Sequence, residues 1–150
     1  MLKGIDPVLS PDLLWVLASM GHGDDLALVD SNHPAEAIAR ATTSGRLVRL
    51  PGLAIDRVAE AILSVFPLDS FVDDPVRRMQ VVGKPDEIPD VQHEIAALAA
   101  KAAPGVAIAS IERFAFYDAA RKAFAVVQAG DPRPYGCFLL RKGVIAGEKP

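Results

Sequence analysis

The chain has 150 residues, 51% hydrophobic and 23% charged, with a net charge of −3. That length suits one domain with a real core, and the composition excludes a disordered chain. Sixteen Lys and Arg against nineteen Asp and Glu argue against a general nucleic-acid binder. No apolar run reaches the ~18 residues of a membrane span, and the start Met1-Leu2-Lys3-Gly4-Ile5-Asp6-Pro7 lacks the apolar core of a secretory signal. The one cysteine, Cys137, cannot close an internal disulfide or build a thiolate metal cluster. A reducing cytoplasm is the expected compartment. The mean hydropathy of +0.24 leans apolar for so small a chain and hints at buried subunit contacts.

In chain order, Ser10-Pro11-Asp12 opens a helix as a capping hydroxyl, a first-turn proline and an acid near the positive end. Leu13, Leu14, Val16, Leu17 and Met20 follow at helical spacing, and Gly21 stops it. The short apolar run Leu26 to Val29, bounded by Asp30, reads as a buried strand, so His22 falls in a helix-to-strand turn and Asp30 at the strand's far end. Residues 56–66 read as a helix with Val58, Ala59, Ile62, Leu63 and Phe66 on one side, stopped by Pro67. Met79 to Val82 reads as a strand, preceded by Asp73-Asp74 and Arg77-Arg78 as solvated loop charges. Pro89 to Ala103 is a helix closed by Pro104-Gly105, with His93 on its surface. Val106 to Ile111 reads as a strand, Phe114 to Lys122 as a short helix and Ala123 to Val127 as a strand. The turn Gly130 to Pro134 leads to a last strand over Phe138 to Leu140. Helices and strands alternate throughout, which predicts a single α/β domain over residues 1–150, its central sheet covered by helices.

Dinucleotide, phosphate-loop, zincin and nucleophile-elbow signatures are absent from the sequence, so the chemistry is expected from side chains alone, without a cofactor. Three clusters could carry it. The first is Gly21-His22-Gly23-Asp24-Asp25 with Asp30-Ser31-Asn32-His33-Pro34. Two glycines leave the His22 backbone open to close approach, and an imidazole can donate or accept a proton near neutrality. Asp30 could orient it or grip a hydroxyl. An ordinary loop with a helix-capping His22 and solvated acids accounts for the same letters. His22, Asp24, Asp30 and His33 could supply metal ligands in principle, but their spacing matches no metal motif, and no metal is expected. The second cluster is Glu112-Arg113-Phe114-Ala115-Phe116-Tyr117, in which Arg113 could clamp neighbouring oxygens and Tyr117 offers a donor-acceptor hydroxyl. An aromatic hinge with Phe114 and Phe116 in the core is the alternative. The third is Pro134-Tyr135-Gly136-Cys137, where Tyr135 could stack on a ligand and Gly136 admit backbone amides, unless the segment is only a turn. Cys137 has no His or base near it in sequence, which reads as an inert thiol.

In this order the three clusters resemble the ribose pyranase / fucose mutarotase family (RbsD/FucU-like), and within it the fucose mutarotase branch. The likeness runs through Met1 to Ile5, Ser10-Pro11, Leu17 to Met20, Gly21-His22-Gly23-Asp24 with Asp30 and Pro34, Leu68-Asp69-Ser70, Arg113 to Tyr117, Lys122 to Ala125, Tyr135-Gly136 and Leu140 to Val144. It is weakest over residues 35–65 and 73–105. The resemblance implies a cofactor-free isomerase that interconverts the α and β anomers of an unphosphorylated monosaccharide such as L-fucose. It also implies ring-like, often decameric, homo-oligomers with active sites near subunit boundaries. By match of motif, His22 takes the role of proton donor and Tyr117 is a further candidate for proton transfer. Asp30, Arg113 and the segment Tyr135, Gly136 and Cys137 take the role of sugar binding.

Two positions depart from the pattern. The family usually has Asn where this chain has Cys137, and the fucose branch commonly carries Ala, His and Phe where this chain has Ser31, Asn32 and His33. These departures bear on which sugar is bound. A ribose-type pyranase, exchanging pyranose and furanose forms, and a non-catalytic monosaccharide-binding or transport-associated protein are the rival readings. Gly23 and Gly136 favour the fucose branch over the pyranase.

Overall fold

The computed structural model describes residues 2–147; Met1, which opens the resemblance, lies outside them. Ser10 caps the first helix, α1 (Pro11–Ser19), by accepting the Leu13 backbone N–H at 3.3 Å. Gly21 follows as predicted, while the helix itself is closed by the Met20 N–H on the Val16 carbonyl. Lys142 Nζ donates to the Leu17 and Met20 carbonyls, both at 2.6 Å, which places a cation on the helix's negative end.

The chain continues through β1 (Asp25–Val29), α2 (Ala35–Ala39), β2 (Leu47–Leu50), α3 (Ile55–Leu63), β3 (Val76–Met79), α4 (Asp90–Ala102), β4 (Ile108–Ile111), α5 (Arg113–Arg121), β5 (Ala125–Ala129) and β6 (Cys137–Arg141). The strands form one six-stranded sheet in the order β2-β5-β1-β6-β3-β4. β1 runs parallel to β5, β5 to β2 and β3 to β4, whereas β6 is antiparallel to both β1 and β3. All strands but β6 therefore point the same way. The carboxyl ends of the parallel strands and the start of β6 share one edge of the sheet.

The predicted α/β class, a central sheet covered by helices, holds. Side chains alternate across each strand. Leu26, Leu28, Phe138 and Leu140 pack with α1, α3 and α4 on one face. Ala27, Val29, Cys137 and Leu139 pack with α2 and α5 on the other. Burial on both faces is why β1 reads as a continuous apolar run rather than an alternating one.

Several details differ from the sequence reading, among them the strand expected from Val106, which begins at Ile108. β2 and α2 were not foreseen: β2 is an edge strand carrying exposed Arg49, and α2 has only five residues, too few for a helical period to show. The strand expected at Met79 to Val82 lies at Val76–Met79. It takes in Arg77 and Arg78, which are not solvated loop charges: Arg77 pairs with Asp25, and buried Arg78 donates to the Gln92 side chain at 3.0 Å and to the Pro85 and Glu87 carbonyls. Those partners cover the charge that made the segment look like a loop. The strand expected to begin at Ala123 begins at Ala125, because Ala123 and Phe124 are spent in the turn out of α5 and in bonds from Thr43 and Ser44.

Candidate active site

The shared edge of the sheet holds a cavity of about 240 Å³. Its volume lies below the ~300–1,000 Å³ typical of drug-sized ligands and suits a smaller molecule. Ligands of open α/β sheets bind outside the carboxyl ends of the strands, and this cavity is walled by three such ends and by the start of the antiparallel β6. β1 delivers Asp30, with Asn32 and His33 behind it; β3 delivers Met79; and the step from β4 into α5 delivers Arg113 and Tyr117. Pro134, Tyr135 and Cys137 come from the turn into β6.

Asp30 is buried, and desolvation pushes its carboxyl above the ordinary carboxylate value even though the Asn32 N–H donates to it at 2.8 Å. The Cys137 thiol donates to Asp30 at 3.4 Å and lies 3.5 Å from His33 Nδ1. Burial first, and the neighbouring carboxylate second, push the thiol well up, so it keeps its proton. A protonated thiol agrees with the inert reading, which rested on sequence neighbours alone; in space the fold brings His33 and Asp30 to the sulfur from more than a hundred residues away. Gly136 eases a close approach, since a Cβ there would sit 3.2 Å from Asp30 Cβ, a tight contact. Tyr135 holds a φ of 64°, a left-handed conformation uncommon for a non-glycine residue. Two groups secure it. Gln92 Nε2 donates to the Tyr135 carbonyl at 2.9 Å and to the Met79 carbonyl at 2.8 Å, and the Val82 N–H donates to the Tyr135 hydroxyl at 3.3 Å.

Glu112 caps α5 by accepting the Phe114 and Ala115 N–H groups, which fixes the first turn carrying Arg113. One turn on, Arg113 Nε donates to the Tyr117 hydroxyl at 3.2 Å. Phe116 is buried as foreseen, while Phe114, expected in the core, is 67% exposed at the rim.

His22 is not in this cavity. It precedes β1 and so lies at the opposite edge of the sheet, about 17 Å of strand away from Asp30. There its Nε2 is 3.2 Å from Asp69 Oδ2, and its ring meets Phe71 edge-on at 5.6 Å. Asp69 is buried; its carboxyl is held below the ordinary value chiefly by the Phe71 N–H, with His22 adding to the effect. The His22 side chain remains 47% exposed, and Phe71 beside it is 71% exposed. The same separation divides the four ligand candidates, with His22 and Asp24 at one edge and Asp30 and His33 at the other. The sequence points to Asp69 only within a matched tripeptide and to Gln92 only as a helix neighbour of His93, because each acts through a contact far from it in the chain. His93, one residue on, is exposed as expected.

Residues 3–145 match the RbsD / FucU transport protein family. The fucose mutarotase of Homo sapiens is 43% identical over 148 residues, 97% of this chain and 95% of that protein. The crystal structure of FucU from Bifidobacterium longum superposes with a TM-score of 0.88 at 38% identity, covering 96% of this chain and 100% of the other. The fucose mutarotase from Streptococcus pneumoniae, solved in complex with L-fucose, superposes with a TM-score of 0.87 at 34% identity over 97% of this chain and 100% of that one.

Proposed function

The chain belongs to the RbsD / FucU transport protein family, and on that premise we propose that it is an isomerase, a mutarotase that interconverts the α and β anomers of a free monosaccharide, L-fucose or a close relative. The observation that carries this reading is a small cavity lined by Asp30, His33, Arg113, Tyr117 and Tyr135, paired with a half-exposed imidazole held by a buried carboxylate at the other edge of the same sheet.

Mutarotation requires that a proton leave the anomeric hydroxyl while another reaches the ring oxygen. The ring opens to the aldehyde, the terminal bond rotates, and reclosure gives the other anomer. We assign Asp30, Arg113 and the Tyr135-Gly136-Cys137 segment to holding hydroxyls. Tyr117, whose hydroxyl accepts from the Arg113 guanidinium, relays the anomeric proton, passing its own hydroxyl proton to solvent as it receives the sugar's, and His22, oriented by Asp69, protonates the ring oxygen; both transfers run in reverse when the ring recloses. A positioned acid–base pair supplies ~10²–10⁴-fold, and fixing the sugar adds to it.

Because His22 and Asp30 occupy opposite edges, this assignment requires two copies of the chain, with the His22 edge of one seated over the Asp30 cavity of the next. The exposed Phe71 beside His22 and Phe114 at the cavity rim support such a contact. Head-to-tail contacts of this kind make rings where the rotation between copies closes, and we take a ring-like homo-oligomer, a decamer on the family resemblance, as the working assembly, in the cytoplasm.

Exchange NMR on L-fucose, L-galactose and D-ribose tests the activity. Anomer cross-peaks that grow with protein support it. Pyranose–furanose exchange in their place, or line broadening without faster exchange, overturns it in favour of a pyranase or a binder. Complementation tests the assembly. His22→Ala and Asp30→Asn variants, each inactive alone, regain about a quarter of the sites when denatured together and co-refolded at equal amounts, if each site draws on two chains. No recovery places the whole site within one chain and sinks the assignment.

A further inference from the structure

We propose that His33 recognises the substrate: its Nε2 accepts a hydrogen bond from one hydroxyl of the sugar in the Asp30 cavity, and Cys137 fixes the tautomer that makes it an acceptor. The inference rests on the mutarotase reading and deepens it, since it concerns which sugars the cavity distinguishes.

The tautomer follows from counting protons. The Asp30 carboxylate, which accepts the Asn32 N–H at 2.8 Å, has only lone pairs to offer the sulfur 3.4 Å away, so the thiol proton points at Asp30. The sulfur then presents lone pairs to His33 Nδ1 at 3.5 Å, and Nδ1 must carry the imidazole proton. Nε2 is left as a bare acceptor. It is buried, on a residue only 6% exposed, and has no hydrogen-bond partner among the described residues. Buried polar atoms are almost always satisfied, and an exception calls for a reason.

The position of His33 supplies one. The residue lines the cavity, with Phe116 against its ring edge-on at 5.9 Å and Tyr117 tilted at 5.4 Å. The donor that Nε2 lacks is of the class the cavity would receive, a neutral hydroxyl. Arg113, the cation lining the cavity, already donates to Tyr117. The two departures from the family pattern, at 33 and 137, are therefore one change. An acceptor for a sugar hydroxyl, which the usual Asn would offer through its amide oxygen from position 137, is offered by the imidazole Nε2 from position 33, where the usual residue is apolar. The cavity gains the ability to tell a hydroxyl-bearing carbon from a deoxygenated one at that point.

Long-range ¹H–¹⁵N imidazole spectra of the full-length wild-type protein read the tautomer directly. The expected result is a protonated Nδ1 and a bare Nε2 on His33, with the Nε2 resonance moving on saturation by L-fucose, L-galactose or D-ribose. A protonated Nε2 in the free protein overturns the proposal, as does an unmoved Nε2 while other cavity resonances saturate. If none of the three sugars binds, the mutarotase reading falls and takes this one with it, whereas binding with an unmoved Nε2 overturns this one alone. In exchange kinetics on those sugars and their monodeoxy analogues, His33→Phe is expected to raise KM about tenfold for a hydroxyl-bearing sugar, with kcat little changed and no effect on the matching deoxy sugar. His33→Gln, which returns an acceptor near Nε2, recovers most of the loss. A uniform fall in kcat across the panel marks a structural role and sinks the proposal. The tautomer measurement, made on the wild type, stands even where a variant fails to fold.

Discussion

His33 holds its proton in the fold only below about pH 4, against an ordinary value of 6.5, because burial penalises the cation. Between those values the unfolded chain binds a proton that the folded one does not, so stability falls as pH drops from about 6.5 to 4 and loses no more below that. The span corresponds to roughly 3 kcal/mol. Asp30, raised by burial, works in the opposite sense by taking up a proton in the fold before the unfolded chain does, and the Cys137 thiol is uncharged throughout. Denaturant unfolding of wild type and His33→Phe at pH 7 and pH 4.5 is expected to show the variant gaining on wild type at the lower pH. Parallel pH profiles for the two proteins would contradict it. At this scale the sequence named His33 and Cys137 as departures from a pattern, but their contact across a separation of 104 positions was invisible to it. Nothing local to either residue reports the other.

Elements fix where these side chains point. α4 holds the cavity wall through Gln92, which accepts from buried Arg78 and donates to the carbonyls of Met79 and Tyr135. A Gln92→Leu variant leaves those carbonyls unpaired and strips a partner from a buried guanidinium, a loss of roughly 2–4 kcal/mol. For a chain of this length that lowers Tm by roughly 5–15 °C, and the freed Tyr135 raises KM for the sugar. Calorimetry and exchange kinetics check the two effects, and an unchanged Tm would show that the Arg78–Gln92 chain contributes nothing. The helix of residues 90–102 was legible because its alanine-rich period and closing Pro104-Gly105 are local signals. β3 was misplaced because two arginines made a buried strand look like solvated loop, and only a partner from another element could reveal the burial.

The molecule as a whole presents two unlike edges. One carries the Asp30 cavity with Arg113 and Phe114, the other His22, Asp69 and Phe71. An activity that needs both edges depends on assembly, so specific activity is expected to fall on dilution through the range where light scattering first detects monomer. Adding an excess of the Asp30→Asn variant to such a dilute sample restores it, since that variant still offers its His22 edge. Full activity in a clean monomer would overturn the two-copy site. The apolar lean of the composition hints at subunit contacts but says nothing of which surfaces would make them.

The sequence by itself determined the alternation of helices and strands, the α/β class and most of the side chains gathered at the cavity. Caps, periodicity and turn residues act over a few positions and can be read in order. Only the tertiary structure decided which strand ends share an edge. The antiparallel course of β6 carries Cys137 to Asp30, and the length of β1 carries His22 away from it. Strand order and direction are set by packing over the whole chain, and no short stretch of residues encodes them.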